Sequence, residues 1–64
     1  MNPFERLAHL LKTSEDLLRV TSVHNEISDV YQVTIETMGR WVVGADKDYA
    51  KAVERALDFW EQRT

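Results

Sequence analysis

Apolar and polar residues alternate with a period of two from Val30 to Glu36. Tyr31, Val33 and Ile35 fall on one side and Gln32, Thr34 and Glu36 on the other. A second run, Arg40 to Ala45, follows Gly39 and contains the longest uninterrupted apolar stretch, Trp41-Val42-Val43. The two runs predict a hairpin with its turn at Gly39. If Thr37-Met38-Gly39 is a three-residue loop closed by a left-handed Gly39, the register follows. Glu36 faces Arg40, Ile35 faces Trp41, Val33 faces Val43 and Tyr31 faces Ala45. That register gathers the large apolar side chains on one face and predicts Trp41, like Trp60, in the core. Gln32, Thr34, Glu36, Arg40 and Val42 are then the open face.

The two ends of the chain carry a different period. Asn2-Pro3-Phe4-Glu5 is a helix start, with Asn2 as cap, Pro3 at the first position and Glu5 three residues on. Phe4, Leu7, Ala8 and Leu11 form a stripe at helical spacing that predicts burial on a sheet, with the helix ending near Lys12. At the other end Asp46 or Asp48 caps a helix whose inner stripe is Tyr49, Val53, Ala56, Leu57 and Trp60, flanked by Ala52 and Phe59. Thr13-Ser14-Glu15-Asp16 breaks the first pattern, Leu17 to Val23 reads as a strand, and His24 to Asp29 reads as a polar turn.

Ile27, Tyr31, Thr34, Met38 and Trp41 also fit a helical period, so residues 14–42 have a competing reading as one long helix. Composition favours strands. From Arg19 to Gly44 there is no Ala, Leu or Lys, and eleven residues are Val, Ile or Thr. The prediction is a single α+β domain over residues 1–64. Its order is α-β-β-β-α, a three-stranded antiparallel sheet with two helices packed on one face.

Sixty-four residues without cysteine must fold on apolar packing, with no disulfide or thiolate metal site. No apolar run is long enough to span a membrane. The amphipathic, charged N-terminus is unlike a secretory signal, so the expected location is the cytoplasm. The net charge is −3, and residues 20–39 hold Glu26, Asp29 and Glu36 with no Lys or Arg. The remaining eight acids balance eight bases, so the excess belongs to the middle of the chain. It is either a solvated surface or an acidic patch for a basic partner.

The predicted order resembles a double-stranded-RNA-binding domain. Pro3 and Leu7 are similar to the start of that family's first helix, and residues 30–45 to its second and third strands. Lys47-Asp48-Tyr49-Ala50-Lys51 is similar to its Lys-Lys-x-Ala-Lys motif, with Asp48 in place of the middle lysine. The resemblance implies recognition of duplex shape, with Lys47 and Lys51 gripping phosphates and His24 in the loop that reaches a minor groove. The loop His24-Asn25-Glu26-Ile27-Ser28-Asp29 lacks the family's Gly-Pro, and His9 stands where the family has Glu.

Chemistry is sparse. His9 and His24 are the only imidazoles, and the three serines sit in no nucleophile motif. His24 has Glu26 and Asp29 as acidic neighbours in its loop. Glu5 and His9 are four apart on one helix face, but two ligands do not make a metal site. The expectation is therefore no enzyme activity, no cofactor and no metal. What remains is a protein-interaction module, a regulator, adaptor or inhibitor. Inhibitors of host machinery carried by phages or mobile elements are one such class. Its predicted surface is an acidic sheet face and loop, with Glu26, Ile27, Asp29, Glu36, Met38 and Val42 in contact with another protein. The first strand is an open edge that can pair with a partner strand. A homodimer, with a second copy over the open sheet face, is a further candidate assembly. Double-stranded RNA through Lys47, Lys51, His24 and the first helix is the alternative.

Overall fold

The structure, a computed structural model, describes residues 2–15 and 17–62. Asp16, part of the predicted break after the first helix, lies outside the described residues. Helix α1 (Pro3–Thr13) is followed by strands β1 (Arg19–Asn25), β2 (Val30–Thr37) and β3 (Arg40–Asp46), and by helix α2 (Tyr49–Glu61). The strands form one antiparallel sheet in the order β1-β2-β3. The α+β class and the element order are those the sequence predicts, and residues 14–42 are not a helix.

Local chemistry sets the ends. The Asn2 side chain accepts a hydrogen bond from the Glu5 N–H at 2.9 Å, and Pro3 occupies the first turn. Asp48 caps α2 by accepting from the Ala50 N–H at 2.9 Å, and Asp46 accepts from the Asp48 N–H at 2.9 Å. Between β1 and β2, the Asn25 side chain accepts from the N–H groups of Ile27 and Ser28. Asp29 closes that loop with φ +54°, a left-handed conformation that Asp tolerates better than most residues.

The β2–β3 turn differs from the expectation. Thr37 pairs with Arg40, so the loop is the two residues Met38-Gly39, with Gly39 at φ +86°. A positive φ at the second central position alone is the requirement of a type II turn. The expected three-residue loop also placed Gly39 in the left-handed region, so the glycine does not separate the two. The one-residue change moves every β3 side chain to the other face. Ile35 pairs with Val42, Val33 with Gly44 and Glu36 with Trp41. Trp41 therefore stands on the open face, 68% exposed, and is not core. Arg40 and Val42 turn to the helix side, where Val42 packs against the core.

That core is Val33 and Ile35 of β2 with Ala52, Val53, Ala56 and Leu57 of α2, all essentially inaccessible. Helix α2 lies over β2 and β3. It comes so close to β3 that a Cβ on Gly44 would collide with the backbone of Ala52 and Ala56. Helix α1 lies against α2 and adds Leu7 and Leu10 to the edge of the core, with no residue fully buried. Its predicted stripe is turned outward in part, since Phe4 and Leu11 remain 47% and 48% exposed. Arg6 fastens the two helices through Asp58 and Glu61, each at 3.1 Å. Arg40 fastens the hairpin to the end of α2. Its guanidinium sits 4.1 Å from the centroid of the half-buried Trp60 and donates to the carbonyls of Trp60 and Gln62.

Candidate functional site

The sheet has one covered face and one bare face. Residues of β2 with odd numbers point to the helices, so Gln32, Thr34 and Glu36 point away. The register puts Arg19, Thr21 and Val23 beside them from β1, and Trp41, Val43 and Ala45 from β3. Three cross-strand rows result: Arg19-Glu36-Trp41, Thr21-Thr34-Val43 and Val23-Gln32-Ala45. Leu17 and Met38, both fully exposed, line a common recess with Thr37 at the hairpin-tip end of this surface.

This surface is apolar and hydroxylic, not acidic. Glu36 is the only acid in the three rows, and Arg19 stands 4.0 Å from it. The pair is exposed and weak, but it leaves the face close to neutral. An exposed tryptophan with Val43 and Thr34 on one side of it is the composition of an interface more than of a solvated sheet.

The six residues predicted as one interaction surface do not form one. Glu36 and Met38 lie at the hairpin-tip end, beside Trp41. Glu26, Ile27 and Asp29 lie in the β1–β2 loop at the opposite end of β2, about 25 Å away for an eight-residue strand. Ile27 is 99% exposed there. Val42 belongs to the helix side. Sequence reasoning missed Trp41, Val43, Thr21 and Val23 as surface. The signal that marks them is indirect: Gly44, Ala52 and Ala56 are small residues at positions where a helix crosses a strand closely.

A second cluster forms where β1 and β2 pass the starts of both helices. Four rings follow one another: Phe4, Tyr49, Tyr31 and His24, with centroid separations of 5.7, 5.4 and 4.5 Å. His24 Nε2 lies 2.9 Å from an Asp29 carboxylate oxygen, and the Ser22 and Tyr49 hydroxyls are 2.8 Å apart. Of the two acids beside His24 in its loop, Asp29 is the partner. It faces solvent at the loop, and the serine on the same strand face is engaged by Tyr49. Among the described residues no three His, Asp or Glu side chains gather in the way that holds a metal ion. Glu5 and His9 are both exposed on α1.

Lys47 and Lys51 are exposed at the start of α2. The same helix start is already supplied with carboxylates. Asp48 takes the Ala50 N–H, and Asp46 accepts from the Asp48 N–H and pairs with Arg55 at 3.2 Å. The Asp48 N–H bond holds the Asp46 carboxyl below the ordinary carboxylate range, with the nearby Arg55 and Lys51 acting in the same direction. An anion approaching this helix end meets two fixed negative charges where the dipole alone would attract it.

The chain is therefore an α+β domain of α-β-β-β-α order with one helix-covered and one bare sheet face, an order shared with double-stranded-RNA-binding domains. No family model matches the chain, and no curated protein or solved structure matches it either. Among the described residues no helix is long and apolar enough to cross a membrane.

Proposed function

We propose that this protein is a small non-enzymatic interaction module, a regulator, adaptor or inhibitor, that docks another protein on its bare sheet face. The observation that carries the reading is Trp41, 68% exposed beside Val43 and Thr34 on a face no helix covers. A large exposed aromatic side chain at the hairpin-tip corner of a near-neutral patch gains most when a partner removes it from water. The β1–β2 loop, with Ile27 between Glu26 and Asp29, lies too far from Trp41 to share one compact contact and serves at most as a second one. An inhibitor carried by a phage or mobile element fits this size and chemistry.

The experiment is a photo-crosslinking residue at Thr34, used in lysate of the native host. It should capture a discrete protein, and Trp41→Ser should abolish the capture without unfolding the domain. Capture that survives Trp41→Ser, or none at all, sinks the reading.

Duplex RNA is the second reading, supported by the element order and by Lys47 and Lys51. Asp46 and Asp48 oppose it. Fluorescence anisotropy with a labelled duplex of about 20 base pairs, longer than the ~16 that one such domain spans, decides it. Salt-sensitive binding lost in Lys47→Glu/Lys51→Glu supports RNA recognition, and no binding at low salt removes it.

A further inference from the structure

Strand β1 is the least covered of the three, its helix side touched by the Ser22–Tyr49 hydroxyl pair and by Val20 against the core. Neither helix is laid over it, and of its seven residues only Val20 is half-buried. Among the described residues its outer edge has no partner strand, because the sheet order is β1-β2-β3. Edges of this kind are normally blunted by Pro, Lys, a bulge or a covering element. Arg19-Val-Thr-Ser-Val-His-Asn25 has no Pro, Lys or bulge, its one charged end residue is Arg19, and three of its seven residues are β-branched. The other edge, β3, is managed differently. Helix α2 lies over it, and charged Arg40 and Asp46 stand at its two ends.

We propose that β1 is a homodimerisation edge: two copies pair β1 antiparallel about a twofold axis at Ser22, joining their sheets into one of six strands. The sequence of β1 is complementary to itself in that register. Ser22 faces Ser22 of the second copy, Thr21 faces Val23, Val20 faces His24 and Arg19 faces Asn25. No like charges meet. Arg19, whose side chain is mostly exposed, comes to the end of the other copy's strand, one residue from Glu26, so the only cation of β1 meets the acidic loop. Pairing along the whole edge satisfies about six to eight backbone hydrogen bonds.

The pairing also answers the small core. Among the described residues six side chains are fully buried, two of them alanines, and α1 contributes none. Domains of this size often draw on oligomerisation for stability. On the bare side, the dimer sets Thr21 and Val23 of both copies at the centre of a surface that carries Trp41 at each far end. Toward the helix side, each copy has a recess of about 220 Å³ lined by Ser22, Val23, His24, Tyr31 and Tyr49. The two recesses meet across the new seam. The inference stands on the backbone edge and does not depend on the partner assigned to Trp41.

Sedimentation equilibrium of the full chain tests it. The expected mass is twice the 7.5 kDa of one chain at micromolar concentration. Thr21→Glu/Val23→Glu and Thr21→Lys/Val23→Lys should each fall to monomer mass, and their equimolar mixture should return to dimer mass. The chain has no cysteine, so Ser22→Cys supplies a register probe. Paired Cα atoms across such a seam lie about 4.5–5.5 Å apart, within disulfide range. A mild oxidant should cross-link Ser22→Cys and leave Trp41→Cys uncross-linked. A wild-type monomer at a hundred-micromolar concentration overturns the proposal. So does a dimer that Trp41→Ser dissociates and Ser22→Cys does not cross-link, which is face-to-face packing. Trp41→Ser should leave the β1 dimer intact while abolishing partner capture, so the two readings fail separately.

Discussion

Gly44 of β3 lies directly against the backbone of Ala56 in α2. A Cβ built on the glycine would overlap the Ala56 nitrogen and stand 2.9 Å from its Cα. Neither neighbour is a flexible side chain, so the helix itself would have to move. Gly44→Ala is expected to cost about 2 kcal/mol or more through overpacking. Urea denaturation monitored by circular dichroism measures this, and an unchanged midpoint would show that α2 does not sit so close.

The same contact decides which side of β3 is inward, and two substitutions check it. Ile35→Ala removes a fully buried side chain opposite Val42 and should cost about 2–5 kcal/mol. Trp41→Ser alters an exposed side chain and should change the stability of the domain by less than about 0.5 kcal/mol. Comparable large losses for both would restore the register in which Ile35 faces Trp41.

Arg40 joins the hairpin to the end of α2 through the Trp60 ring and the carbonyls of Trp60 and Gln62. Cations at a helix C-terminus and over an aromatic face each contribute on the order of 0.5–1 kcal/mol. Arg40→Ala should therefore cost roughly 1 kcal/mol. It should also speed hydrogen exchange of the last-turn amides of α2 while those of Ala52 and Val53 stay protected.

Asp46 predicts an acid limb. Its carboxyl is held below the ordinary value of 3.8 chiefly by the Asp48 N–H, then by Arg55 and Lys51. A carboxyl depressed on folding stabilises the fold above its unfolded pKa. That contribution is lost as pH falls through the folded value. Stability should thus drop below about pH 4, and Asp46→Asn should flatten that part of the profile and leave its shape near neutrality unchanged. Melting temperatures across pH 2–7 test it, and equal acid slopes for both proteins would refute the assignment.

Much of this molecule was legible along the chain. Asn2-Pro3 and Asp48 announce the two helix starts because capping is a matter of neighbours three residues apart. The β-branched middle and the Ala- and Leu-rich ends separate strands from helices through local backbone preference, so the α-β-β-β-α order needed no tertiary information. One short loop holds His24, Glu26 and Asp29, so acidic neighbours for His24 were legible, while the choice of Asp29 came from the fold of the loop.

The faces of β3 were decided only in three dimensions. In Arg40-Trp-Val-Val-Gly-Ala-Asp46 the odd positions are the more apolar set, and burial alone would turn Trp41 and Val43 inward. Shape overrides it. Helix α2 presents Ala52 and Ala56 to the sheet, and the close approach they permit requires the one residue without a Cβ beneath them. Gly44 must face the helix, Arg40 and Val42 follow it, and Trp41 is left on the surface. A period-two pattern records hydrophobicity at each position but not the distance to the element that will cover it. That distance belongs to the packing of α2 on β3, which joins residues a dozen positions apart.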